Sequence, residues 1–223
     1  VALVGCSFIE GFGLDDTETS GWKLQSILPN YSVQNFGAGG YGTLQALLVI
    51  RDLPKRYRET QGSVIVYGFA DFHQARNIRN AGAQRSWRGD AVFPVCDEAG
   101  CGVWSGKPMG RWFQRSRCLS LLENVWDFLL YQRKVDTARA VTEHLLSEMK
   151  NTAQGMGARF IVAPVTSLSS DWLSFFRSAG VEVVSCAPTI TNREQYLLGD
   201  GHPKGLWNEE YSKCLARYIL EHP

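Results

Sequence analysis

The sequence predicts an α/β fold with a parallel sheet covered by helices on both faces. Three observations predict it. Short apolar runs with almost no polar interruption recur along the 223 residues, as expected of strands buried on both sides. Stretches of helical periodicity separate most of these runs, the alternation that builds parallel sheets. The runs end in glycine-rich or polar turns, and open parallel sheets hold their ligands beyond the carboxyl ends of their strands.

The elements follow in order. "VALVG" (1–5) reads as a short buried strand, and "GWKLQSILPN" as a helix stopped by Pro29. "YSVQNFGAGG" is a second strand running into a glycine turn, followed by a helix over "TLQALLVIRDLPKRY". "SVIVYGF" is the third strand; "ARFIVAPVT" and "VEVVSCAP" are the fourth and fifth, separated by a helix around "SDWLSFFRSAG". The last helix covers most of "LWNEEYSKCLARYILEH".

Residues 81–117 break the alternation, being rich in Gly, Arg, Trp and Pro, with a small hairpin around "AVFPVCDEAGCGVWSG". Two helices follow, over "LSLLENVWDFLLYQ" and "DTARAVTEHLLSEMKNTAQGMG". The length suits one domain, 1–223, with 81–117 as an insertion inside it. Such an insertion serves more often as a lid or binding loop than as a second domain.

Composition bounds the function. The chain is 44% hydrophobic and 20% charged with a net charge of +1, an ordinary globular balance that argues for no nucleic-acid partner. No apolar stretch is long enough to span a bilayer, and no basic region marks a signal peptide. The sequence begins inside a strand pattern without an initiator Met, so a leader, anchor or upstream region is expected to precede it. Six cysteines show no C-x-x-C pair or histidine pattern for zinc. Cys96 and Cys101 flank a turn-like "DEAG" and could close a disulfide loop, which would imply an oxidising, extracytoplasmic compartment. The alternative is scattered, buried, reduced thiols.

The turns that end the strands carry the chemistry. Ser7 follows the first strand, Gly39 and Gly40 the second, Asp71 and His73 the third. After the fifth comes "LLGDGHPKG", with Asp200 and His202 ahead of the final helix. A serine hydroxyl is a weak nucleophile until a positioned base takes its proton. Histidine does this near neutral pH, and a carboxylate beside it fixes the tautomer. The oxyanion formed then needs preorganised N–H donors, which the Ser7 amide and the glycine turn at Gly39 and Gly40 can supply.

These residues resemble the SGNH/GDSL hydrolases and acyltransferases. "GCSFIEGFGLDDTET" looks like that family's serine block, "NFGAGGYGTLQ" like its oxyanion-glycine block, and "GDGHPKG" like its acid–base block. The three occur in the family's order, from first strand to last helix. The resemblance implies a flavodoxin-like three-layer α/β/α sandwich with a five-stranded parallel sheet of order 2-1-3-4-5. It implies ester hydrolysis or acyl transfer through an acyl-serine, with no metal or organic cofactor. Ser7 would be the nucleophile, His202 the base and Asp200 its orienting acid. A small-molecule or glycan ester is the implied substrate.

The chain departs from the family pattern in three places. Cys6 stands where the family often has Asp. One residue, rather than two, separates Asp200 from His202. Ala70, in Gly68-Phe69-Ala70-Asp71, stands where the family has an oxyanion asparagine, a donor whose loss costs about 3–4 kcal/mol. Asn77, His73 or a substrate group could replace it.

Each reading has a plainer counterpart. Ser7 could be a turn residue, His202 a loop histidine and Asp200 a turn former. Cys6 could be the nucleophile instead. The glycines 37, 39, 40 and 42 could cradle phosphate, although no Walker lysine accompanies them. Asp71 and His73 could be substrate contacts or a structural pair. Arg76, Arg79, Arg85 and Arg88 could grip an anionic or sugar substrate, or form a solvated face. Trp87, Trp104 and Trp112 could stack on a carbohydrate or simply pack on the domain.

Overall fold

A computed structural model describes residues 1–57, 61–78, 92–97, 100–105 and 131–222. The chain forms two compact units, one of Val1–Asp71 with Leu145–Pro223, the other of Phe72–His144.

The first unit holds the sheet. Strands β1 (Ala2–Gly5), β2 (Gln34–Gly37) and β3 (Val64–Gly68) pair in parallel. They alternate with helices α1 (Ser7–Glu10), α2 (Ser20–Ile27) and α3 (Thr43–Arg56). In the second unit lie α4 (Gln74–Asn77) and an antiparallel hairpin of β4 (Val92–Asp97) and β5 (Gly100–Ser105), where Cys96 faces Cys101 and is disulfide-bonded to it. Helix α5 (Tyr131–Gly155) leads to β6 (Arg159–Val162). Then come α6 (Ser170–Ser178), β7 (Glu182–Val183), α7 (Arg193–Tyr196) and α8 (Gly205–Glu221).

The sheet order is β2-β1-β3-β6-β7, which is 2-1-3-4-5 counted within this sheet, as expected. The strand period of two sorts the side chains between its faces. Leu3, Val66 and Ile161 join one buried cluster with Leu24 of α2 and with Trp207, Tyr211, Leu215 and Ile219 of α8. Val4, Ile65 and Tyr67, also buried, belong to the other face, where the Tyr67 hydroxyl donates to Thr43 Oγ1 of α3 at 3.1 Å. Two buried polar contacts set α2 against α8: Ser20 Oγ donates to Asn208 Oδ1 at 2.7 Å, and Ser212 Oγ to the Ser20 carbonyl at 3.0 Å.

Two elements differ from the sequence reading. The fifth strand keeps only two residues, because after the Val184 amide bonds the Val162 carbonyl the chain leaves the sheet edge. Cys186 is then tied by a disulfide to Cys214 on α8. The "GCSF" turn is the start of a one-turn helix, α1. The expected helix over "LSLLENVWDFLLYQ" lies outside the described residues apart from its end, as does most of 81–117. No helix among the described residues is long and apolar enough to cross a membrane.

Candidate active site

Three glycines explain where Ser7 sits. Gly5, Gly37 and Gly68 end three adjacent strands, and the register sets Gly5 opposite both Gly37 and Gly68. Together they make a side-chain-free shelf under α1. A Cβ on Gly37 would fall 2.2 Å from the Glu10 amide nitrogen. One on Gly5 or Gly68 would fall 2.6 or 2.4 Å from Ile9 Cγ1. The helix therefore lies directly on the strand ends, with Ile9 fully buried as its anchor. Asn35 Nδ2 also donates to the Ile9 carbonyl at 2.7 Å. Ser7, only 8% exposed, is the first residue of this helix, so its N–H has no intrahelical acceptor.

The loop before α8 carries the imidazole. It is a narrow reversal: the Leu198 amide donates to the His202 carbonyl at 2.8 Å, and Lys204 to Tyr196 at 2.8 Å. Gly201 turns it at φ +92°, a backbone state that glycine adopts without penalty. Asp200 Oδ1 accepts the His202 backbone N–H at 3.1 Å, while its Oδ2 lies 3.0 Å from His202 Nδ1. That second approach is off the ring N–H axis, a close contact rather than an aligned hydrogen bond. The His202 backbone N–H, and then its ring, hold the Asp200 carboxyl below the usual aspartate range.

Across 195 residues of chain, His202 Nε2 meets Ser7 Oγ at 2.9 Å. Phe8 and Phe12 pack on the imidazole, with ring centroids 5.6 and 4.9 Å away. A hydroxyl, an imidazole and, off the ring N–H axis, a carboxylate are thus brought together, a grouping in which an imidazole can take a proton from a hydroxyl.

The other sequence-selected residues fall as follows. Gly39 and Gly40 occupy a turn in which the Tyr41 amide bonds the Ala38 carbonyl at 3.1 Å. Gly40, at φ +76°, is the third residue of this turn, a position that favours glycine. Gly39 approaches Glu10, whose Oε2 would lie 3.3 Å from an added Cβ. The Cys6 side chain is free of disulfides and fully buried, whereas Ser7 beside it keeps 8% exposure. Ala70 is likewise buried in the core.

Asp71 opens a short 3-10 turn and is half-buried. His73 and Asn77 have no exposed surface and serve the interior of the second unit. Asn77 Nδ2 donates to Thr142 Oγ1 at 2.7 Å. Burial first, then the charge of Arg76, holds His73 well below the usual histidine range, so it is neutral. The side chains of Trp104, Trp87 and Trp112 lie outside the described residues, as do Arg79, Arg85 and Arg88.

The sequence reading missed two features, the glycine shelf and the ring of Phe12. Glycine ending three successive strands was the only available signal for the shelf. For Phe12 it was an aromatic between two glycines, "GFG".

No protein-family model matches the chain, and none of the curated proteins matches it significantly. Solved structures do. A structure of TesA superposes with a TM-score of 0.54 at 12% identity, covering 98% of both chains. A protein assigned to the lipolytic G-D-S-L family from Desulfitobacterium hafniense DCB-2 gives 0.52 at 9%, covering 97% of both. AlinE4, an SGNH-hydrolase family esterase, gives 0.50 at 13%, covering 100% of this chain and 95% of its own. The chain therefore has the SGNH/GDSL hydrolase fold over nearly its full length.

Proposed function

We propose that the protein is a serine ester hydrolase or O-acyltransferase acting on short acyl esters of a small molecule or glycan. The 2.9 Å contact between Ser7 Oγ and His202 Nε2 carries this reading. Ser7 Oγ attacks the ester carbonyl as His202 Nε2 takes its proton. The Ser7 amide, with that of Gly40 or Gly39, donates to the oxyanion. Collapse breaks the bond to the alcohol oxygen, which receives the proton from Nε2 and leaves an acyl-serine. Water or a second alcohol then attacks that ester by the same proton route, and Ser7 is regenerated. Asp200 keeps the imidazole oriented and stabilises it when charged. The two disulfides, Cys96–Cys101 and Cys186–Cys214, support an extracytoplasmic site of action.

Hydrolysis of 4-nitrophenyl acetate by the wild type, Ser7→Ala and His202→Ala tests the assignment. Both substitutions are expected to lower kcat by at least about 10³-fold; activity that survives both rejects it. A second reading, a glycan- or protein-binding domain without catalysis, is favoured by Ala70 at the oxyanion-asparagine position. A fluorophosphonate probe separates the two, because covalent labelling of Ser7 is incompatible with an inert site.

A further inference from the structure

We infer that Phe12 is a specificity-determining residue that selects esters whose alcohol half carries a ring face, pyranosyl or aryl. The inference rests on the proposed acyl transfer and names which half of the substrate the site reads.

Phe12 is 51% exposed although its ring lies 4.9 Å from the imidazole. Phe8, the other ring on His202, is half-buried and meets Trp207 edge-on at 6.3 Å. Phe8 thus backs the imidazole from the core, while Phe12 presents open aromatic surface beside it.

The Phe12 turn is rigidly built. Its N–H donates to the carbonyl of Ser7 at 3.1 Å, as does that of Gly11. Gly11 and Gly13 on either side have φ of +85° and +79°. A Cβ on Gly11 would strike Thr19 Cγ2 at 2.5 Å, and one on Gly13 would reach Leu198 Cδ1 at 3.0 Å. Leu198 itself bonds the His202 carbonyl. The aromatic surface is therefore fixed to the nucleophile's turn on one side and packed against the base's loop on the other. Surface held in this way costs little ordering when a ligand covers it.

Reaction geometry assigns the half that touches it. In acyl transfer the leaving oxygen must come within about 2.6–3.2 Å of Nε2 to take its proton. Whatever is bonded to that oxygen then lies along the flank of the imidazole, where Phe12 is. The carbonyl oxygen points to the oxyanion donors, and the acyl chain leaves the same carbon on a different bond from the leaving oxygen. A flat apolar face that pairs with a phenyl ring is supplied by an aromatic alcohol or by the C–H side of a pyranose.

Matched acetates test this. Benzyl acetate and ethyl acetate share an acyl group and have alcohols of similar basicity; an acetylated methyl pyranoside adds the sugar case. In Phe12→Ala the ratio of kcat/KM for benzyl over ethyl acetate is expected to fall about tenfold, mainly through KM, and the pyranoside should follow benzyl. Phe12→Tyr should restore the ratio. An equal loss on both esters would mean that the ring only shields the imidazole, and overturns the inference. Hydrolysis that survives Ser7→Ala would instead refute the acyl-serine reading. Binding without turnover then decides separately: NMR titration of benzyl acetate into Ser7→Ala and Ser7→Ala/Phe12→Ala proteins. A roughly tenfold rise in Kd is expected, and an unchanged Kd overturns the inference.

Discussion

Replacing Gly37 by alanine tests the shelf beneath Ser7. The new Cβ would sit 2.2 Å from the Glu10 nitrogen and 2.6 Å from the Ile9 carbonyl carbon, both backbone atoms that no rotamer change can move. Ordinary contact begins at 3.4 Å, so α1 must lift by about 1.2 Å or the strand must sink. Ser7 rides on α1, and its 2.9 Å contact with His202 would open toward about 4 Å, past hydrogen-bond reach. A displacement of this size costs on the order of 10²-fold in rate. The overpacking itself costs roughly 1–3 kcal/mol. The assay is kcat/KM on 4-nitrophenyl acetate beside urea denaturation of the same protein. A folded Gly37→Ala protein within threefold of wild-type activity would refute the claim that this packing positions the serine. Gly68→Ala makes a sharper companion, because its short contacts are with the Ile9 side chain at 2.4 and 2.6 Å. Ile9→Ala should relieve Gly68→Ala, with about 1–2 kcal/mol of coupling in a double-mutant cycle, but should not relieve Gly37→Ala.

Four further substitutions have expected outcomes. Asp200→Asn should lower kcat/KM about 100-fold, less than for a buried triad carboxylate, because Asp200 is solvent-exposed. Its folded-state pKa is depressed, so its contribution to stability is present above the unfolded value and is lost as pH falls through the folded one, below about pH 4. Wild type should therefore be the more stable above that window and converge with Asp200→Asn below it, the pH slopes of their acid denaturation differing within it. The Cys186–Cys214 bridge closes a separation of 28 residues that contains Asp200 and His202. Cys186→Ser/Cys214→Ser should lose about 3.5 kcal/mol in urea denaturation and lower kcat. Removing Cys96–Cys101, with a separation of 5, should cost only about 2 kcal/mol. Asn208 is fully buried between Ser20 Oγ and the Glu18 carbonyl. Asn208→Ala strands both groups and should cost roughly 2 kcal/mol, read from the denaturation midpoint.

Much of the candidate site was legible because its parts are local. "VALVG" followed by "CSF" marks a buried strand and the hydroxyl after it, and "GDGHPKG" marks a turn that feeds a helix. What was not legible was short-range detail set by backbone geometry. The sequence reading took "GCSF" for a turn, since a one-turn helix has no period to detect. It ended the fifth strand five residues late, since apolar "VVSC" continues past the point where pairing stops. It left the cysteine pairing of residues 186 and 214 unread, because nothing in a 28-residue separation says which thiols meet.

The sequence by itself determined the order of strands and helices, through apolar runs that must be buried and turns that must bend. It also determined which residue types stand at each strand end. Only the tertiary structure decided that Gly5, Gly37 and Gly68 fall in one row, because register depends on how three separated strands pair. It likewise decided that Ser7 and His202, at opposite ends of the chain, come within a hydrogen bond of each other, and that Phe12 stays uncovered beside them. Contacts of that kind arise from folding the sheet, and no local pattern encodes them.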